Sequence, residues 1–229
     1  MNRILRIAAL LALPLLSVAC NSTTVLLANF NAEPVGAPPA FNQPTGTVVL
    51  DEQGTGTVRV AVSPIPTSPG NKWARGTNTA PNTGTSALRA QFDGFHGPGK
   101  YNVVAALFIP TGAGAVTLQL EPASGGASSF VNFLHVDFMP ENDVRLNDDN
   151  ATRFGSFPRD QSFVVSINVD TASTPRKATV TLLGGVATGS RDVVLPSLST
   201  QFGAVRVWMG FQFQGSFFVD DILVTKSNS

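Results

Sequence analysis

Apolar and polar residues alternate with a period of two along most of this chain, and that pattern decides the fold class. A two-residue period sends successive side chains to opposite faces of a strand, whereas a helix needs apolar residues three and four apart. Segments 23–30, 47–50, 56–62, 87–92, 101–109, 115–121, 130–138, 161–170, 178–183, 204–213 and 216–225 all read as strands, and Gly, Pro, Asn and Asp clusters separate them. No amphipathic helix interrupts the series. Parallel pairing would need long crossovers, so about eleven short strands predict an all-β antiparallel sandwich, with a jelly roll as its architecture. The inward set is expected to include Leu134, Val136, Phe138, Val165, Ile167, Val205, Val207, Phe211, Ile222 and Val224. Two stretches break the pattern. Residues 63–86 carry Pro64, Pro66, Pro69 and Pro81 together with Trp73, and 140–157 carry Glu141, Asp143, Asp148 and Asp149 among asparagines. Both read as loops. Gly112-Ala113-Gly114 and Ser124-Gly125-Gly126 read as hairpin turns.

The strands are preceded by a different kind of segment. Arg3 and Arg6 open it, an apolar run extends from Ile7 to Val18, and Leu16-Ser17-Val18-Ala19 leads into Cys20, the chain's one cysteine. Basic start, apolar run and small residues are the layout of an export signal. The run contains Pro14 and is shorter than the ~20 residues that a membrane span needs. The segment resembles a bacterial lipoprotein signal, with Ser17 standing where that family favours a large aliphatic residue. The resemblance implies cleavage before Cys20, lipidation of its thiol and attachment to a membrane through that lipid. It divides the chain into a signal peptide, 1–19, and one jelly-roll domain, 20–229. A lone, lipidated cysteine can form no internal disulfide and can serve as no nucleophile. Asn21 is not the aspartate that in some bacteria retains lipoproteins at the inner membrane, so the expected location is the cell envelope, at the outer membrane of a two-membrane cell.

Fifteen Lys and Arg balance fifteen Asp and Glu in the full chain. Loss of Arg3 and Arg6 leaves thirteen basic residues and a mature net charge of about −2. That excludes a basic footprint for nucleic acid. Charged residues are only 13% of the chain, which makes the expected surface neutral and rich in hydroxyls and amides.

Four strand sequences carry a fold-level resemblance. Gly215-Ser216-Phe217-Phe218-Val219-Asp220-Asp221-Ile222-Leu223-Val224 is similar to the closing strand of concanavalin A-like and carbohydrate-binding-module jelly rolls. Phe163 to Asp170, followed by Ala178 to Leu182, is similar to their preceding strands, and Leu26 to Glu33 to their first strand, with the acid displaced to Glu33. In several such modules a structural calcium ion joins the first and last strands. Carried over by position, the resemblance nominates Asn31, Glu33, Asp220 and Asp221 as its ligands. These acids equally suit turn caps and backbone hydrogen bonds. The acidic run Asn147-Asp148-Asp149-Asn150 lacks the spacing, glycine and terminal glutamate of an EF-hand loop.

No catalytic residues are nominated. The Glu-x-Asp-x-x-Glu strand of many concanavalin-like glycosidases is missing. His135 and Asp137 share one strand face, where they suit either a general base or a hydrogen-bonded surface pair. Gly94 to Tyr101 approaches a phosphate-binding loop, yet Tyr101 replaces the metal-binding hydroxyl, Pro98 removes an N–H and a strand follows, so it reads as a turn.

Binding has better material. In 204–213 alternation gives one apolar stripe and, opposite it, Arg206, Trp208, Gly210 and Gln212. Such a row can stack a sugar ring on Trp208 and bond its hydroxyls through Arg206 and Gln212, with Trp73 joining from the loop. The same row also suits a covered face in which Arg206 pairs with an acid. Three functions stand: a noncatalytic envelope lipoprotein binding glycan or another surface polymer, a structural or partner-binding lipoprotein, and a glycosidase or lyase.

Overall fold

The computed structural model describes residues 22–123 and 132–227. The leader with Cys20 and the Ser124-Gly125-Gly126 turn lie outside those residues. Among the described residues there are fifteen strands: β1 (Ser22–Ala28), β2 (Thr47–Gly54), β3 (Thr57–Val62), β4 (Lys72–Asn78), β5 (Gly84–Gln91), β6 (Lys100–Phe108), β7 (Val116–Pro122), β8 (Leu134–Phe138), β9 (Asp143–Leu146), β10 (Gly155–Ser156), β11 (Ser162–Asp170), β12 (Lys177–Leu183), β13 (Thr188–Val194), β14 (Phe202–Met209) and β15 (Gly215–Ser227). Every pairing is antiparallel. The fold is an all-β antiparallel jelly-roll sandwich, as the sequence predicts, with more strands than its periodicity marks.

One sheet runs β2-β5-β14-β7-β8-β9-β10, and the other runs β13-β12-β11-β6-β15-β4-β3, with β13 also pairing β10. The long β15 pairs β4 through 215–219 and β1 through 222–227, so first and last strands close the second sheet together. Four of the strands, β4, β9, β10 and β13, fall where the sequence shows no alternation. Strand β4 lies inside the presumed 63–86 loop, and its backbone groups are taken up by β3 and β15 on either side.

The core lies between the sheets. Leu118, Leu120, Leu134, Val136, Val205 and Val207 come from the first, Val103, Leu107, Val165, Ile167, Ile222 and Val224 from the second, and all are buried. Burying each such side chain is worth about 1.5–3 kcal/mol. Edge-on aromatic contacts pack Phe202 against Phe92, Tyr101 and Phe133, with ring centroids 4.8, 5.3 and 5.4 Å away. Gly76 on β4 lies beneath the Phe217 ring, where any side chain would overlap it.

Phe211 departs from the expected core and is 54% exposed. Strand β14 stops at Met209, where its partners β5 and β7 also run out of register, and the chain turns with the Phe213 N–H donating to the Gly210 carbonyl at 3.0 Å. Past that turn, alternation no longer assigns faces.

Candidate functional site

Register places an unusual set of side chains on the outer face of the first sheet. One rung across it reads Asp51, Ala87, Trp208, Thr117, Asp137, and the next reads Val49, Arg89, Arg206, Gln119, His135. Of these, Asp51, Thr117, His135, Asp137, Arg206 and Trp208, together with residues beyond the strand ends that include Asn82, Asn147, Asp148, Phe211 and Gln212, line a cavity of about 890 Å³. Arg206 and Trp208 thus share one face, as alternation predicts. Gln212 also reaches the cavity, but from the exposed turn after β14 instead of from the strand.

Trp208 is held from several sides. Its small rung neighbours Ala87 and Thr117 leave space about the ring, while its indole N–H donates to Gln119 Oε1 at 3.1 Å. Gln119 in turn donates to Glu121 Oε1 at 2.6 Å, and Glu121 Oε2 accepts from Arg89 Nε. The Arg206 guanidinium carbon lies 5.5 Å from the Trp208 ring centre, within cation–π range. Gly210 stands close to the ring edge, where a side chain would be tight against it. The indole therefore has a fixed position before any ligand arrives, which removes part of the ordering cost of binding.

Arg206 forms the floor of the site. It is 1% exposed, with Nη2 2.8 Å from Asp51 Oδ2 and Nη1 3.8 Å from Glu121 Oε1. Burial holds its pKa below the ordinary arginine value, opposed by Glu121 and Asp51. Burial likewise raises the Glu121 pKa, opposed by Arg89 and Arg206. Charge pairing makes this buried polar layer tolerable, since either ion alone would be costly.

His135 and Asp137 both line the cavity without forming the expected bonded pair. Asp137 accepts from Thr117 Oγ1 and from the Asp148 N–H, each at 2.8 Å, and burial raises its pKa. Burial lowers that of His135, whose Nε2 is buried without a partner among the described residues. Asp51 and Asp137 sit four strands apart, about 19 Å at the usual interstrand spacing, well outside the reach of a glycosidase carboxylate pair. The arrangement can stack a ring and satisfy hydroxyls around it.

Trp73 does not join this site. It belongs to β4 in the other sheet, is 2% exposed and faces no part of the cavity. The pattern that hid β4 also hid this placement.

The four residues nominated for calcium do not form a cage. Asn31 Oδ1 accepts from the Lys72 N–H at 2.8 Å, and Glu33 accepts from the Ala40 N–H and Gln43 Nε2, each at 2.9 Å. The Lys72 ammonium donates to the Glu33 carbonyl at 2.6 Å, so a cation already occupies that oxygen. Asp220 is buried and accepts from Asn71 at 2.8 Å, while its neighbour Asp221 points outward at a bulge in β15. Among the described residues no group of three or more His, Cys, Asp or Glu is placed to hold a metal. These residues do not fit the ion.

No family model and no curated protein matches the sequence. Solved structures do resemble the fold. Lectin UEA-II complexed with galactose superposes with a TM-score of 0.52 at 14% identity, over 90% of this chain and 100% of the lectin. Winged bean acidic lectin complexed with methyl-α-D-galactose gives 0.52 at 10% identity, over 90% and 98%. Arcelin-5, a lectin-like defence protein from Phaseolus vulgaris, gives 0.53 at 11% identity, over 91% and 99%. At such identities the likeness is one of fold, and the chain shares its jelly roll with lectins.

Proposed function

We propose that this protein is a noncatalytic carbohydrate-binding lipoprotein of a bacterial cell envelope, anchored by a lipid on Cys20. One observation carries the binding reading: an indole fixed by a hydrogen-bond relay and a guanidinium sits within a cavity ringed by Asp, Asn and Gln side chains. Sugars present apolar ring faces edged by hydroxyls, and an aromatic platform surrounded by hydrogen-bonding groups complements both features. The lectin fold supports the reading at the level of architecture. Anchoring rests on the leader, because Arg3, Arg6, the apolar run and Cys20 together suit lipidation.

Trp208→Ala tests the site. Glycan affinity is expected to fall at least tenfold, while stability drops by about 1–2 kcal/mol for the lost cation–π contact and indole hydrogen bond. Lower stability with unchanged affinity, read by thermal unfolding and glycan titration, would favour a structural or partner-binding role. Anchoring is tested by mass: wild-type protein should carry acyl groups that Cys20→Ser lacks.

A further inference from the structure

The charges around the cavity bear on which sugars it can accept. We propose, resting on the carbohydrate reading above, that the site takes uncharged saccharides and turns away those bearing carboxylate or sulfate groups. Three carboxylates line it, Asp51, Asp137 and Asp148, against one guanidinium, that of Arg206. That guanidinium is not free to receive an anion. Its Nη2 is committed to Asp51 at 2.8 Å, its Nη1 lies 3.8 Å from the Glu121 carboxylate, its Nε is buried, and the whole side chain, beside Trp208, is only 1% exposed.

Recognition of a carboxylate or sulfate calls for two parallel N–H donors or an open cation. Neither is offered. The neighbouring cations are spent as well, since Arg89 is paired with Glu121 and donates to the Pro122 carbonyl, and Arg145 lies 3.0 Å from Asp143. Hydroxyls meet a different reception. Asp148 on the rim is exposed and Asp51 partly so, and each carboxylate can accept a charge-assisted bond from a sugar O–H. A cavity of this kind rewards a hydroxyl and repels an anion by the same groups.

The test is titration calorimetry of the full chain in detergent with oligomers in matched pairs: galactose with galacturonate, glucose with glucuronate, and N-acetylglucosamine with its 6-sulfate. At low salt the acidic member is expected to bind at least tenfold more weakly, with the gap narrowing in high salt as the repulsion is screened. Asp148→Asn, at a position whose φ of +60° asparagine tolerates, should shift the acidic-to-neutral ratio by about threefold toward the acidic member. Acidic sugars binding as tightly as their neutral partners, or a ratio insensitive to both salt and Asp148→Asn, would overturn the charge inference and leave carbohydrate binding intact. If no member of any pair binds, both fall.

Discussion

The two sheets bury similar apolar stripes inward, yet their outer faces are built on opposite principles. Over β6, β11, β12 and β13 the outer face is a ladder of short polar side chains: Asn102 donates to Asn168 at 2.9 Å, Thr179 to Asp192 at 2.6 Å, and Thr181 lies 3.2 Å from Ser190. Over β5, β14 and β7 it holds Arg89, Arg206, Glu121 and Gln119, all buried. An exposed ladder exchanges each of its bonds with water at little net cost, whereas ions removed from water must find partners inside the protein. The first face can vary with small effect. The second is a committed network, and such commitment is understandable where an aromatic platform must be held still.

The comparison is broken most directly at Glu121. Glu121→Gln leaves Arg89 and Arg206 without their shared counter-ion, and the expected loss is about 3–5 kcal/mol. Thr181→Ala on the opposite face should stay within ~0.5 kcal/mol. Chemical denaturation of both variants checks the pair, and equal losses would show that the two faces do not differ as described.

Asp220 sharpens the contrast from within the second sheet. It is 0% exposed, accepts one bond from Asn71, and burial, with Asp221 adding to it, raises its pKa from 3.8 to about 7. Because the folded protein binds this proton more tightly than the unfolded chain, the contribution to stability is present below the unfolded pKa and is lost as pH rises toward 7. The loss can reach about 4 kcal/mol at 1.36 kcal/mol per pKa unit. Asp220→Asn keeps an acceptor for Asn71 and removes the titration. Its stability should therefore vary less between pH 4 and 7, and should exceed wild type near pH 8. An unchanged pH profile would mean that Asp220 stays ionised in the fold.

These differences show which features the sequence carried in legible form. Period-two alternation marks positions such as Val136, Ile167 and Val207, because one buried face of a strand imposes that spacing regardless of its partners. Strands β4 and β13 escape the same reading. Lys72 to Asn78 places buried Trp73 and Ala74 side by side, and Thr188 to Val194 has no buried residue to set a period. Their strand character comes from pairing with neighbours. In the site, Arg206 and Trp208 are readable because one strand supplies both. Asp51 is 155 positions from Arg206 and Gln119 is 89 from Trp208, so the ion pair and relay exist only once β2, β5, β14 and β7 have lined up. A polar residue alternating with core residues was the available signal in each case. Thr117, Gln119 and Glu121 between Val116, Leu118 and Leu120 show that pattern clearly, but it does not say which of them will be buried.

Phe211 offers the smallest effect on stability and the finest test of where the outer face becomes a site. Were strand β14 to continue past Met209, Phe211 would fill the core and its truncation would cost about 3–5 kcal/mol. The chain instead turns at Gly210 and leaves the ring 54% exposed beside the cavity. Phe211→Ala should then change stability by no more than ~0.5 kcal/mol. Glycan affinity should fall severalfold, because an exposed aromatic at the rim can add apolar contact to that of Trp208 without being needed for the fold. Thermal unfolding and titration on one preparation separate the two effects. A large stability loss would restore the continuous strand, and no change in either would leave Phe211 outside the binding surface, which would then narrow to Trp208 and the polar groups around it.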